Sequence, residues 1–436
     1  MAVNMESPVM IVGAGPVGLI TALVLAQQGI ASRVIEAEPG LTLDLRAGTF
    51  HPPTLEMLDG IGVAAEMRAL GIAVRYWQSR DLQDGLVAEW DLDLLRNDTP
   101  YPYRLHLEQH RLTPILLQHV LRTGLVEVVF GHRFEAQHSQ GDHLVVQALG
   151  PDGLVEWTTS WLIGADGGRS PVRKSADIEF AGYTWPERYS VLSTTFDFAT
   201  LGYRENAYMS DPEQWSALFK MPDEGPPGLW RMTLPVAPET PEDEALAGPY
   251  AQRAIRRITG ADAHTTYPLV HQSIYSVHQR VAVRFRQGRV MLAGDAAHVN
   301  NPLGGFGLNS GIHDAISLGQ ALSRVIKGEA GEEALDRYNR QRQQANVTYV
   351  QELSVRNKKK PGRKRPSPAC PAHARVALGL RRPGQSARIP AELIDDQQHP
   401  PRAVGGMMGM FHRNATDLSP QRTAFFERKG HGHEVF

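Results

Sequence analysis

The sequence predicts an α/β protein in which a parallel sheet is interrupted by an inserted antiparallel sheet. Three observations carry this. The N-terminus reads strand, glycine-rich turn, helix, strand. Two later apolar runs each end in a glycine–acid turn before a helix. Between those turns, apolar and polar residues alternate singly, with the period of half-buried strands rather than helices.

The first element is the apolar run Val9-Met10-Ile11-Val12, which reads as a buried parallel strand. Gly13-Ala14-Gly15-Pro16-Val17-Gly18 follows, a G-x-G-x-x-G. Leu19, Ile20, Leu23, Val24 and Leu25 then form an apolar helical face that closes at Gly29, and a second strand, Ser32 to Ile35, ends in Glu36. In this order each part has a job. Gly13 permits the tight turn, Gly15 lets a pyrophosphate approach the backbone, and Gly18 lets helix and strand pack closely. The helix, opening at Pro16, offers free N–H groups and its positive dipole end to phosphate. Glu36 stands where an acid accepts ribose hydroxyls, and its charge argues against a 2′-phosphate there. The cradle is therefore Rossmann-like and binds a dinucleotide; it does not by itself decide between NAD and FAD.

The second element is Trp161-Leu162-Ile163-Gly164-Ala165-Asp166-Gly167-Gly168-Arg169-Ser170, a strand entering a turn with Ser170 as helix cap. The third runs from Gly288 through Gly294-Asp295-Ala296-Ala297-His298 to Pro302-Leu303-Gly304-Gly305-Phe306-Gly307-Leu308-Asn309. An apolar strand delivers Asp295 to its end, where the carboxylate can accept hydrogen bonds from a sugar-alcohol chain. A helix starting near Leu308 and Asn309 would face its dipole toward the negative charge of a reduced flavin.

The three segments, in order, resemble the group A flavoprotein monooxygenases, the family of para-hydroxybenzoate hydroxylase, phenol hydroxylase and polyketide aromatic hydroxylases, over residues 8 to 350. The resemblance implies a Rossmann-like FAD-binding domain with an inserted antiparallel-sheet substrate domain. It implies that Gly13, Gly15, Pro16, Gly18 and Glu36 hold the ADP part of FAD, with Asp166 in the family's DG motif. Asp295, Pro302, Gly305, Gly307, Leu308 and Asn309 would meet ribityl and flavin. Arg46 sits where the family places an arginine against the phosphates, and Gln109 where it places a flavin-touching glutamine; Thr113 replaces the acid that commonly follows. The implied activity is hydroxylation of a phenolic or aromatic small molecule with NADH or NADPH and O2, through a flavin C4a-hydroperoxide. The other readings are a flavin-binding protein without turnover and another FAD-dependent dehydrogenase or oxidase.

By this reading residues 1–73, 101–180 and 281–350 form the FAD-binding domain. Residues 74–100 add strands to a substrate-binding sheet at 181–280. Trp215, Phe219, Trp230 and Met232 are candidates to line its pocket, and His271, Tyr275 and His298 to relay a phenolic proton; no catalytic base is assigned.

Composition narrows the alternatives. The single cysteine, Cys370, excludes an internal disulfide and the redox pair that a disulfide reductase needs. No Trp-x-Trp-x-Ile-Pro of flavin-dependent halogenases is present, and a nicotinamide dehydrogenase leaves the third motif without purpose. The net charge of −2 gives no reason to expect nucleic acid or an anionic membrane as partner. No run approaches the ~20 apolar residues of a membrane span, and no secretory signal precedes the first strand, so a cytoplasmic chain is expected. Residues 356–388 carry eleven Lys or Arg and no acid, leaving −13 on the remainder. Residues 351–436 are thus read as a basic, proline-rich, disordered tail, with polyanion binding or a shifted reading frame as alternatives.

Overall fold

The computed structural model describes residues 8–42, 48–223 and 228–359. Arg46, Cys370 and the tail beyond residue 359 lie outside them.

The chain is an α/β protein built on two sheets. The first has six strands in the order Arg286–Gln287, Val290–Leu292, Trp161–Gly164, Val9–Val12, Ser32–Ile35 and Val126–Val129. All pairs are parallel except the antiparallel edge pair. Val9–Val12 and Trp161–Gly164 are buried at every residue, the reason each reads as an unbroken apolar run. Helices Pro16–Gln27 and Phe306–Ile326 cover this sheet, and small residues let them meet: a Cβ at Gly319 would lie 2.7 Å from a Val24 methyl.

The second sheet has eight strands in the order His298–Val299, His271–Ala282, Phe180–Thr194, Leu229–Val236, Ser216–Met221, Asn206–Ser210, Tyr76–Asp81 and Gly85–Asp91. Only the pair between Asn206–Ser210 and Tyr76–Asp81 is parallel. One face meets the FAD-motif elements and is called the near face here; the other, the far face, is packed by a helix. That helix, Gly248–Thr259, breaks the expectation of unrelieved strands between 181 and 280. It buries Ala251, Ala254 and Ile255, a stripe at helical spacing opposite its arginines that the sequence displays and that the reading of this region as strands passed over. A small antiparallel sheet, Thr49–Phe50, Arg104–His106 and Ile72–Val74, lies between the two large sheets in sequence, and a three-stranded meander occupies Arg133–Thr159.

The structure also corrects the start of the tail. The chain after Ala345 continues as a π-helical turn, Asn346–Gln351, and a helix, Glu352–Lys359. Gln351 and Ser354 anchor it by bonding Gln279 of the eight-stranded sheet at 2.5 and 2.9 Å. Among the described residues no helix is long and apolar enough to cross a membrane.

Candidate functional site

The glycine cradle has the geometry a pyrophosphate needs. Gly13 adopts φ +108°, and a Cβ there would sit 2.4 Å from the Ala165 carbonyl oxygen. A Cβ at Gly18 would sit 1.9 Å from the Gly13 oxygen, so a side chain there would separate helix from strand. Gly15 has nothing within 4 Å of its Cβ position and leaves the mouth of the cradle open. Pro16 is the first helical residue. The Glu36 carboxylate reaches the cradle rim, accepting from Ala14 N–H at 2.8 Å and from Glu38 N–H at 3.0 Å.

Asp166 does something other than expected. Its carboxylate accepts the Ser170 hydroxyl at 2.5 Å and Val172 N–H at 3.0 Å, while Ser170 caps Arg173 N–H at 2.9 Å. Both oxygens therefore serve the start of helix Pro171–Ser175, which makes Asp166 a positioning residue; burial raises its pKa above the usual carboxylate range. Arg173 then ties the two glycine–acid turns together, donating to Ala296 O at 2.8 Å and Gly168 O at 3.0 Å.

Asp295 is exposed in the short turn Gly294–Ala296. A buried network holds this turn: the fully buried Asp314 accepts from Gly294 N–H at 3.0 Å, His298 Nε2 at 2.6 Å and Arg342 Nε at 2.6 Å. His298 is thereby fixed in orientation by Asp314. Its ring is fully buried and held by Asp314 through Nε2, with Nδ1 unpartnered among the described residues, while Tyr275 lies on the eight-stranded sheet beside Arg231.

The glycine-rich turn leads into the helix two residues earlier than expected, at Phe306. Gly304 and Gly305 have φ +110° and +69°, and Gly305 N–H bonds Pro302 O at 3.0 Å. The first turn, containing Gly307 and Leu308, has no preceding helical carbonyl for its N–H groups, which makes it an anion-facing terminus. The Asn309 side chain faces inward, accepting from His51 N–H at 2.9 Å and donating to Thr49 O at 2.8 Å. It fixes this terminus against the Thr49–Phe50 strand. Gln109 opens helix Gln109–Arg122 and is half-buried, with Thr113 bonding its carbonyl at 2.8 Å.

The near face of the eight-stranded sheet closes onto this turn. Leu303 packs with Tyr189, Trp215, Ala217 and Val277, and partly with Tyr208 and Phe219. The buried Tyr208 phenol bonds the Gly304 backbone and the Arg104 guanidinium. Arg104 and His106, two residues apart on one strand, present the same side, with Leu105 turned to the core behind. The His106 ring lies 5.8 Å from that of Phe219. Burial, with Arg104 and Arg231 nearby, lowers its pKa to about 4. Asn206, paired beside Phe219, is fully buried with neither amide atom hydrogen-bonded among the described residues. Glu108 and Arg231, 2% and 8% exposed in their side chains, pair across to the sheet. His271 is on the same face, opposite Ser193.

Trp230 and Met232 are a correction. Register places them opposite Thr194 and Leu192, on the far face, in the cluster of Phe198, Leu218, Leu234, Ala254 and Ile255. Only Trp215 and Phe219 of the four proposed pocket residues face Leu303. Arg104, His106, Asn206 and Tyr208 were missed; the alternation Arg104-Leu105-His106 was the available signal, a short strand carrying polar groups on one side.

Comparison with known proteins agrees with this arrangement. The model of the FAD binding domain family matches residues 6–352. The chain is 35% identical to a para-nitrophenol 4-monooxygenase of Pseudomonas sp. (strain WBC-3), over 80% of this chain and 86% of that one. It is 37% identical to a 6-hydroxy-3-succinoylpyridine 3-monooxygenase of Pseudomonas putida (strain DSM 28022 / S16), over 80% and 87%. The crystal structure of a p-nitrophenol 4-monooxygenase from Pseudomonas putida DLL-E4 superposes with a TM-score of 0.78 at 29% identity, covering 98% of this chain and 99% of that one. With a cradle that fits FAD and relatives of this kind, the chain belongs to the FAD-binding aromatic monooxygenases.

Proposed function

We propose that this monooxygenase hydroxylates a single-ring phenol or hydroxypyridine, held between the near face of the eight-stranded sheet and the Pro302–Phe306 turn. One observation carries the reading: on one face of the sheet the aromatic rings of Trp215, Tyr208 and Phe219 stand beside a small set of buried polar groups, Arg104, His106 and Asn206. A flat ring with one hydroxyl asks for that mixture, apolar surface with a few oriented donors and acceptors. The substrates named for the two relatives, a nitrophenol and a hydroxypyridine, are of this size and kind.

The cofactor reading follows the same residues. Gly13, Gly15, Gly18 and Glu36 would hold the ADP part of FAD, Asp295 its ribityl chain, and the amides of the Phe306 turn its pyrimidine edge. FAD, reduced by NADH or NADPH, supplies the activation of O2 that no side chain can perform. The protein's share is to orient the ring, exclude water and stabilise charge on the ring oxygen, for which Arg104 and Arg231 are the near cations. The chain is assigned to the cytoplasm, where reduced nicotinamide is at hand.

The test is NAD(P)H consumption by the purified FAD-loaded protein with 4-nitrophenol, simple phenols and hydroxypyridines, followed by product analysis under labelled O2. Stimulation by a ring hydroxyl compound and label in the product support the reading. Oxidation that ignores every aromatic, with no label in any product, reassigns the chain to a dehydrogenase or oxidase. No turnover at all leaves a flavin-binding protein.

A further inference from the structure

His106 is fully buried and has one ring nitrogen with a partner and one without. Nδ1 lies 2.9 Å from the Lys220 carbonyl oxygen. A carbonyl only accepts, so Nδ1 carries the proton and Nε2 presents a lone pair. Nε2 has no hydrogen-bond partner among the described residues. A buried acceptor with nothing to accept is uncommon enough to require an explanation, and a ligand hydroxyl is one.

Its position agrees. His106 pairs with Thr49 across the small sheet, and directly opposed residues on one face are neighbours. Thr49 Cβ in turn lies 3.7 Å from the Cβ position of Gly305, in the glycine turn. On the other side the ring edges against Phe219. Nε2 therefore belongs to the layer where the proposed function places the aromatic ring, and the inference rests on that reading.

We propose that Nε2 of His106 accepts the proton of the substrate's ring hydroxyl, which makes His106 a catalytic residue of the hydroxylation. As the new C–O bond forms at a ring carbon ortho or para to the hydroxyl, a π pair of the ring goes into that bond. The O–H bond breaks, its electron pair stays with oxygen as the ring carbonyl forms, and the proton moves to Nε2. When the attacked carbon loses its hydrogen to water, the ring becomes aromatic again and the oxygen takes the proton back. His106 ends as it began; O2 is the oxidant, and the two electrons of NAD(P)H take its second oxygen atom to water.

A weak base suffices here, because a ring hydroxyl becomes strongly acidic once the ring has given up a π pair. Its surroundings keep it neutral beforehand. Burial does most of this, helped by the charges of Arg104 on its own strand and Arg231 on the eight-stranded sheet, while the Lys220 carbonyl, accepting at Nδ1, works in the opposite direction and is outweighed; His51, also nearby, is itself held far below the ordinary imidazole range by burial. The two arginines would also stabilise the oxygen that loses the proton.

The test uses the FAD-loaded protein with a phenol that drives wild-type turnover, and reads kcat for product against pH. Wild type should hold its kcat from about pH 6 up to the phenol's own pKa, since loss of a positioned base costs about a hundredfold or more and wild type has one. His106→Phe should fall by about that factor near pH 7 and then climb about tenfold per pH unit, because the phenolate needs no base. Added imidazole should restore part of the loss. His106→Gln keeps a donor for Lys220 and an acceptor for the substrate but no base, and should show the same slope; it carries the test if the phenylalanine variant fails to fold. A variant that retains FAD and runs parallel to wild type at every pH overturns the proposal while leaving the proposed substrate class intact. If no phenol stimulates the wild type, the substrate class falls first and this assignment with it.

Discussion

The two faces of the eight-stranded sheet are made by the same strands and behave oppositely. On the far face Leu192, Leu218, Trp230, Met232 and Leu234 form a dry layer under helix Gly248–Thr259 and the Phe198 ring. Its largest polar group is satisfied within the chain, Trp230 Nε1 donating to Asp197 at 3.0 Å. Among the described residues, the Ser190 and Ser216 hydroxyls and the Arg80 Nε on that face are buried without a partner. The near face buries as many aromatics but leaves Trp77 Nε1, the Tyr189 and Ser193 hydroxyls and both Asn206 amide atoms unpartnered among the described residues, opposite His106 Nε2. A face that buries polar atoms without satisfying them is arranged for something that is not protein.

The largest effect should separate the faces by stability. Trp230→Ala empties the far cluster at a fully buried position, and truncations of this kind cost about 3–5 kcal/mol. Its melting temperature should drop steeply while the KM for the aromatic substrate of the folded fraction stays near wild type. Phe219→Ala, on the half-buried near face, should do the reverse: a small loss of stability and a clearly raised KM. Equal KM changes in the two variants would erase the distinction between the faces.

That distinction was the part the sequence withheld. The FAD cradle was legible because its strand, glycines, helix and acid are contiguous, so local spacing specifies the geometry. The near face draws on Arg104 and His106, Asn206 and Tyr208, Trp215 and Phe219, and Arg231, which only strand order brings together. Leu229–Val236 is buried on both faces, residues 229 to 234 without exception, so its own pattern does not say which side meets the flavin turn. Trp230 looks like a pocket residue for that reason. The side-chain contacts of Asp166, Asn309 and His298 were hidden differently: motif spacing says nothing of side-chain partners, and each bonds other protein groups.

On the cofactor side of the near layer the expected effect is on FAD affinity. Asp295→Ala should weaken FAD retention, with Asp152→Ala, an exposed acid in the meander, as control. Loss of a charge-assisted hydrogen bond costs about 1.5–3 kcal/mol, or about ten- to a hundredfold in affinity. FAD dissociation constants measured by fluorescence should separate the two variants by that factor. Identical constants would remove Asp295 from the ribityl site and leave the glycine turn alone to hold it.

The smallest effect per step is acid sensitivity, and it too divides the faces, since the buried histidines lie on the near side or beyond it. His106 is lowered to about 4 and His313 to about 3, each chiefly by burial, and His51 is lowered well below its ordinary value for the same reason. A histidine whose folded pKa is depressed binds its proton more readily when unfolded. Its neutral form is therefore no handicap above the unfolded value near 6.5, and the stability is fully present there. As pH falls below about 6.5 the unfolded chain takes up protons that the fold refuses, so each such histidine subtracts up to about 1.4 kcal/mol per pH unit until its folded pKa is reached. Urea midpoints should stay level between about pH 7 and 8 and then decline from about pH 6.5 downward, with the slope shallower in His313→Asn, where the amide needs no proton. His313 bonds the Thr54 hydroxyl at 3.1 Å, and asparagine keeps a polar partner for it. A wild-type midpoint that stays level down to about pH 4.5 would mean that these rings open to water before they titrate, and that the near layer is looser than its burial suggests.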